Sequence, residues 1–208
     1  MPKQKHLFVP GGAYLLSNIG NSGEEIFLGE ENYDYFLQGL SFVSEGLFDV
    51  LGYCLIPNQF HVYIKVRSRE RVLKQYARYK RIPEQRVELI SGEISLFISR
   101  MLANFLNGYA KAFNNRHGRK GSLFREHFRK IPLPGRTDGF RVMLGLSYIP
   151  VIQDLVQDPM DWKYYRWPDE EKRGKGLSID FEDCILERWA GEMGLKQEEL
   201  SFPDLLLY

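Results

Sequence analysis

The pattern of apolar and polar positions is clearest between Leu51 and Val66, where two apolar runs flank Pro57 and Asn58. Proline followed by asparagine is a strong turn-forming pair, so the stretch predicts a strand, a sharp turn and a second strand. Side chains alternate between the two faces of a strand. In the second strand, one face therefore carries only apolar side chains and is predicted to join the core: Phe60, Val62, Ile64 and Val66.

The opposite face of the second strand carries a row of polar groups: Gln59, His61, Tyr63 and Lys65. Gln59 and His61 are next to each other on that face, with their Cα atoms about 6–7 Å apart. An imidazole nitrogen and a carboxamide oxygen at that spacing could share a divalent cation or a phosphate. The alternative is an ordinary half-exposed strand histidine beside a merely polar glutamine.

Apolar residues at helical spacing predict the helices. These are expected over Glu30–Phe48, about Glu93–Asn114 and about Asp138–Ile149. Tyr109 lies on the apolar stripe of the long helix, so it is expected to pack in the core rather than to react. After a first strand at Gly11–Ser17, the glycine-rich stretch Asn18–Gly23 could hold a phosphate with its N–H groups or form a plain turn.

The composition of the chain limits the kinds of protein that it can be. A chain of 208 residues with 44% apolar residues can bury one core and carry a small appendage. No run of residues is apolar over the length that a membrane-spanning helix needs. The two cysteines, Cys54 and Cys184, are too few for a disulfide framework. We therefore expect a soluble cytoplasmic protein with no membrane partner.

The formal net charge of +1 conceals an uneven distribution. Asp169–Tyr208 carries eleven acidic and five basic residues, which leaves 16 acidic and 23 basic residues in 1–168. We therefore divide the chain into a domain at 1–168 and an acidic extension at 169–208, with a short helix predicted at Glu182–Met193. A basic domain favours a polyanionic partner. The extension could pack as an appendage, bind a partner or cover the basic surface.

Basic residues are concentrated in two segments. Eight of the seventeen residues of Asn114–Lys130 are Arg, Lys or His, and two glycines favour a loop in its middle. The candidates for phosphate contact are Arg116, Arg119, Lys120, Arg125, Arg129 and Lys130. The other segment, Arg67–Arg86, combines eight Arg and Lys residues with Tyr76 and Tyr79. Such a mixture suits single-stranded nucleic acid, and the alternative is a solvated basic face.

Taken in order, four stretches resemble the single-tyrosine HUH transposases, especially the REP-associated tyrosine transposases. They are Ser17–Phe27, Gly52–His61, Asn104–Phe128 and Pro150–Trp167. The resemblance implies an α+β fold in which helices pack on one face of a ferredoxin-like antiparallel sheet. It also implies DNA as the partner, recognised as hairpins and adjoining single strand, and a homodimer as a frequent assembly.

In this family a His-hydrophobic-His pair holds Mg²⁺ or Mn²⁺, and a helix tyrosine attacks the scissile phosphate to form a 5′-phosphotyrosine link. The resemblance therefore implies a DNA endonuclease and strand transferase. The metal would stabilise charge that develops on the phosphoryl oxygens, and the covalent link would conserve the bond energy for rejoining. Gln59 and His61 are the implied metal ligands, and Tyr148 is the implied nucleophile.

The chain departs from the family pattern at both chemical positions. Gln59 stands where the family has its first histidine, although a glutamine oxygen can still bind Mg²⁺. The family segment Tyr-Ile-His-X-Asn-Pro-Val matches Tyr148-Ile149-Pro150-Val151 only if three residues, nearly one helical turn, are deleted before the proline. Without that gap, Gly145 takes the tyrosine position and Ile149 takes that of the metal-ligating asparagine.

Two functions remain open at this point. The first is an active transposase, in which Tyr148 and the metal cleave DNA held by the basic residues. The second is a degenerate or domesticated relative that binds structured DNA or RNA without cleaving it. A more remote alternative is an interaction module whose acidic extension covers the basic face and whose partner is a protein.

Overall fold

The computed structural model of the chain describes residues 7–125 and 127–166, apart from some side chains between 136 and 140. The strands are β1 Ala13–Ile19, β2 Phe48–Ile56, β3 Gln59–Val66, β4 Arg129–Pro132 and β5 Tyr165–Arg166. The helices are α1 Glu30–Ser44, α2 Arg69–Lys80, α3 Ser91–Arg116 and α4 Arg136–Ile152. The helix predicted at Glu182–Met193 lies outside the described residues, and the domain division at residue 168 stays a prediction.

The five strands form one sheet in the order β4-β1-β3-β2-β5, and every neighbouring pair is antiparallel. The unit β1-α1-β2 is a split βαβ unit, because β3 is inserted between its two parallel strands. This arrangement confirms the predicted α+β class and the antiparallel sheet. In the described part of the chain, no helix is long and apolar enough to span a membrane.

The central hairpin forms as predicted. A two-residue turn at Pro57 and Asn58 joins β2 to β3. Each apolar side chain that the alternation of β3 assigns to the core is at most 3% exposed and belongs to the main core cluster: Phe60, Val62, Ile64 and Val66. Residues of α1 and α3 complete that cluster, so these two helices cover this face of the sheet.

Helix α3 extends beyond the predicted helix at both ends, and the carboxylate of Glu93 caps its start by accepting the Ile90 N–H at 2.9 Å. Tyr109 is 2% exposed, and its hydroxyl donates to the Ile26 carbonyl at 2.5 Å, which confirms its predicted place in the core. The first helix was predicted too long. It ends at Ser44, and Gly46 turns the chain into β2 with a φ of +75°.

Helix α4 packs on the face of the sheet opposite to α1 and α3. The Tyr165 hydroxyl of β5 donates to the Met143 carbonyl of α4 at 3.0 Å. A Cβ atom added to Gly52 of β2 would lie 2.6 Å from the Met143 Cε atom, so the absent side chain permits this close approach. Helix α4 thus covers part of the face that carries His61. Helices therefore pack on both faces of the sheet, whereas the sequence predicted helices on one face only.

Candidate functional site

His61 lies in the middle of a row of side chains that crosses the whole sheet. Antiparallel pairing aligns the members of this row, one from each strand in spatial order: Arg129, Ser17, His61, Cys54 and Tyr165. Directly opposed residues on paired strands project from the same face of a sheet. We call this set the His61 row.

The His61 side chain is buried, with 1% of its surface exposed, and neither ring nitrogen has a hydrogen-bond partner among the described residues. Burial lowers the pKa of this imidazole to about 3, with a further contribution from the positive charge of Arg129. The ring is therefore neutral at physiological pH and has a lone pair available. His61 is not the half-exposed strand histidine of the alternative interpretation.

Gln59 is the next residue on the same face of β3 and is 5% exposed. An imidazole nitrogen and an amide oxygen are chemically suitable donors for a divalent cation. Among the described residues, however, no group of three or more His, Cys, Asp or Glu side chains could hold a metal ion. On this face of the sheet, Gln59 and His61 are therefore two neighbouring side chains whose donor atoms suit such a cation.

Tyr148 belongs to α4, whose buried residues Met143, Leu146 and Ile149 are each at most 3% exposed. Tyr148 follows Leu146 by two residues and so lies about 200° around the helix from it. It is half-buried, and burial together with the nearby Asp158 carboxylate raises the pKa of its hydroxyl. Helix α4 thus presents Tyr148 away from the face of the sheet that carries Gln59 and His61.

The glycine-rich stretch after β1 uses its N–H groups within the protein. The Gly20 N–H donates to the Asn58 carbonyl of the central turn at 2.8 Å, and the Asn21 N–H donates to the Leu123 carbonyl at 2.9 Å. Further along, the N–H groups of Ile26 and Phe27 both donate to the Pro57 carbonyl. These bonds support the plain-turn alternative over a phosphate cradle.

The basic loop, residues 117–128, connects α3 to β4 and is fixed by Arg119 near its start. The Arg119 guanidinium forms an ion pair with Glu24 and donates to the Asn114 side-chain oxygen at 3.3 Å and to the Ser122 carbonyl at 3.0 Å. Just before the loop, Arg116 pairs with Glu31 at 3.1 Å. Arg119, one of the predicted DNA-contact residues, therefore holds the loop in place, whereas the ion pair of Arg116 links the end of α3 to α1.

The other predicted DNA-contact residues differ in their surroundings. Lys120 and Arg125 are exposed and form no ion pair within the described residues. Arg129 belongs to the His61 row, where burial lowers its pKa. Lys130, the next residue of β4, lies with its ammonium 3.9 Å from the centre of the Phe8 ring, and burial lowers its pKa as well.

The basic loop meets the sheet next to Gln59. The Arg125 N–H donates to the Ile19 carbonyl at 3.0 Å, and Ile19 is the cross-strand partner of Gln59. Only β1 therefore separates the backbone of Arg125 from Gln59. This contact brings the loop cations and the Gln59 and His61 pair to the same end of the sheet.

A groove of about 560 Å³ lies between α3 and the basic loop. Its polar and basic lining includes Asn107, Lys111, Arg125 and His127, and Phe128 adds an aromatic ring. Asn107 and Lys111 are not among the residues that the sequence pattern singles out. Their spacing of four residues on the exposed side of a predicted helix, just before a basic loop, is the signal that could have found them.

No family model matches the chain, and no curated protein matches it. Among solved structures, the chain is similar to a REP-associated tyrosine transposase bound to a REP hairpin. The two share 15% sequence identity with a TM-score of 0.53, over 88% of this chain and 96% of that chain. At this level of identity, the similarity establishes a common fold.

Proposed function

We propose that this protein is a transposase-like DNA-binding protein that recognises hairpin or single-stranded DNA. The observation that carries the proposal is the contact between Arg125 and Ile19, which places a basic loop beside the buried pair Gln59 and His61. Lys120 and Arg125 of this loop are exposed and can neutralise phosphates.

The fold and the charge distribution support a DNA partner. One solved structure that shares this fold is that of a REP-associated tyrosine transposase bound to a REP hairpin. In the present chain, the exposed cations of the basic loop adjoin a groove that carries amide, imidazole and aromatic side chains. Bases that leave a helix can stack on aromatic rings while cations contact the backbone.

We further propose that the protein cleaves the DNA strand that it binds. The Tyr148 oxygen would attack the scissile phosphorus, and the bond from phosphorus to the 3′ oxygen would break. The tyrosine proton would leave to a base or water, and the released 3′ oxygen would take up a proton. Because the pKa of Tyr148 is raised, its deprotonation requires a base that accepts the proton or a nearby positive charge that stabilises the phenolate.

Gln59 and His61 would hold Mg²⁺ or Mn²⁺ in this scheme. When bound, such an ion stabilises negative charge on the phosphoryl oxygens. His61 is neutral before any metal arrives, so no proton has to leave the ring. Arg129, in the same row, would attract the phosphate but repel the cation, which makes metal binding dependent on DNA.

We also propose that the protein acts as a homodimer in the cytoplasm. Because α4 turns Tyr148 away from His61 of its own chain, the tyrosine of one copy would act at the His61 row of another. The assembly would then contain two complete sites.

A second candidate function is DNA or RNA binding without cleavage. The position of Tyr148, on the side of α4 away from the buried residues of that helix, favours this candidate. Both functions require the basic loop, so they differ only in the chemical step.

A single experiment separates these functions. The full-length protein would be incubated with a pool of labelled DNA hairpins and Mn²⁺, and covalent adducts would be resolved on a denaturing gel. For cleavage we expect an adduct that is lost in Tyr148→Phe, is slowed in His61→Ala and persists in Tyr35→Phe, a tyrosine that is 51% exposed on α1. Retention on a native gel without any adduct would establish the second candidate, and absence of binding would refute both.

A further inference from the structure

A second concentration of positive charge lies on α2, at the end of β3 remote from His61. The chain leaves β3 at Val66 and enters α2 through Ser68, whose hydroxyl caps the helix. A groove of about 480 Å³ lies between α2 and the turn at Glu45 and Gly46. Four cations line this groove, namely Arg67, Arg71, Lys74 and Arg78, together with the acids Glu45 and Glu70.

Three of these cations form an exposed stripe, Arg71, Lys74 and Arg78, that we call the α2 stripe. The stripe extends about 10 Å along the helix axis, a length that corresponds to about three phosphates of one DNA strand. Arg71 and Arg78 form no ion pair within the described residues. Lys74 pairs with Glu84 at 3.7 Å, but both side chains are about half exposed, so the pair contributes little stability.

Arg67 behaves differently from the three residues of the stripe. It binds Asp49 at 2.8 Å and is 29% exposed, so this cation is already neutralised within the fold. The stripe, in contrast, contributes almost nothing to the packing of α2, which is provided by Val72, Ala77 and Tyr76. Its charges are therefore available to an external polyanion.

The length of α3 separates the α2 stripe from the basic loop. Near the start of α3, the Phe97 ring contacts Tyr76 and Tyr79 of α2 at centroid distances of 5.0 and 5.5 Å. The basic loop begins directly after α3 ends at Arg116. From Phe97 to Arg116, α3 rises by about 28 Å, which equals the length of about eight base pairs of duplex DNA.

We propose that the α2 stripe is a second DNA-contact surface, which holds phosphates on the stem of a hairpin whose other end lies at the basic loop. This inference rests on the proposed function. It adds a dependence on stem length, because a stem much shorter than one helical turn cannot reach from the loop to α2.

The test compares two labelled DNA hairpins that have the same loop, with stems of about 5 and about 14 base pairs. Their affinities for the full-length protein are measured by fluorescence anisotropy over a range of salt concentrations. The test variant is Arg71→Gln/Arg78→Gln. Lys65→Gln/Arg166→Gln is the matched control, because it removes two other exposed cations, which belong to β3 and β5 rather than to α2 or α3. Arg71→Lys/Arg78→Lys retains the charge.

For the long stem, we expect the test variant to bind roughly tenfold more weakly than wild type at low salt. The salt slope, which is the slope of the logarithm of the association constant against the logarithm of the salt concentration, should become shallower by about two. The short stem should bind within twofold of wild type, and both control variants should resemble wild type on both stems. Equal weakening on both stems, or no weakening at all, overturns the inference while leaving the proposed function intact. If the wild-type protein binds neither hairpin, the proposed function fails and this inference falls with it.

Discussion

Arg129 of β4 and His61 of β3 project from the same face of the sheet and are separated only by Ser17 of β1. Two strand spacings amount to about 10 Å between their Cα atoms, a distance that an arginine side chain can largely cross. The positive guanidinium lowers the pKa of His61, although burial of the imidazole is the larger cause. The site thus disfavours a second positive charge unless an anion accompanies it.

The first prediction concerns the pH dependence of stability. The pKa of His61 falls from 6.5 in the unfolded chain to about 3 in the fold, so the unfolded state takes up the proton first as the pH falls. Above pH 6.5, titration of His61 has little effect on the free energy of unfolding. As the pH falls from 6.5 towards 3, protonation of His61 in the unfolded state progressively lowers the free energy of unfolding. The free energy of unfolding should therefore decrease by about 2 kcal/mol between pH 7 and pH 5.

Urea unfolding across this pH range checks the expectation, with His61→Leu as the comparison. Leucine has a similar size and cannot titrate, so the loss between pH 7 and 5 should largely vanish in this variant. Arg129→Gln should reduce the loss only in part, because burial remains. An unchanged pH profile in His61→Leu would contradict the buried, neutral state of the ring.

The second prediction separates the cations that fix the basic loop from those that are free to bind DNA. Arg119→Gln removes an ion pair and two hydrogen bonds, so it should lower the free energy of unfolding by about 1 kcal/mol and also weaken hairpin binding. Lys120→Gln and Arg125→Gln should change stability by less than about 0.5 kcal/mol. Each should still lower the salt slope of binding by about one.

The third prediction concerns two glycines with opposite surroundings. A Cβ atom at Gly20 would clash with the Glu24 carbonyl oxygen, whereas one at Gly108, inside α3, meets nothing within 4 Å. Gly20→Ala should destabilise the protein by about 2 kcal/mol or more, because rigid backbone must move. Gly108→Ala should stabilise it by about 0.5–1 kcal/mol. Urea denaturation measures both, and a stable Gly20→Ala variant would rule out the close approach at this turn.

The fourth prediction concerns the buried hydroxyl of Tyr109. Tyr109→Phe removes the donor to the Ile26 carbonyl and leaves that oxygen in the core without its partner. We expect a loss of about 1–3 kcal/mol in the free energy of unfolding. The same change at the exposed Tyr35 should have almost no effect, and equal values for the two variants would argue against the hydrogen bond.

Several parts of the fold could be predicted because they depend on local periodicity. The alternation in β3, the turn at Pro57 and Asn58 and the apolar stripe of α3 each lie within one stretch of sequence. The start of β2 was missed because the apolar spacing of α1 continues through Leu47 and Phe48, and only Gly46 marks the break. Likewise, Pro150 suggested a helix end, yet α4 continues to Ile152.

The arrangement of the candidate site depends on contacts between distant residues, which local patterns do not contain. The burial of His61 results from its position on a central strand beneath neighbouring side chains. The partner of Arg119 is Glu24, far away in the sequence, so a residue that resembled a DNA contact also has a structural role. The outward direction of Tyr148 depends on which side of α4 meets the sheet.

Salt-dependent binding of a labelled DNA hairpin to the full-length wild-type protein tests the central claim most directly. If the basic loop contacts phosphates, binding should saturate at low salt, and the logarithm of the association constant should fall linearly with the logarithm of salt concentration, by about 0.9 per phosphate neutralised. Lys120→Gln/Arg125→Gln should make that slope shallower by about two. Absence of saturable binding, or an affinity that does not change with salt, would contradict the claim that this protein binds DNA through its basic loop.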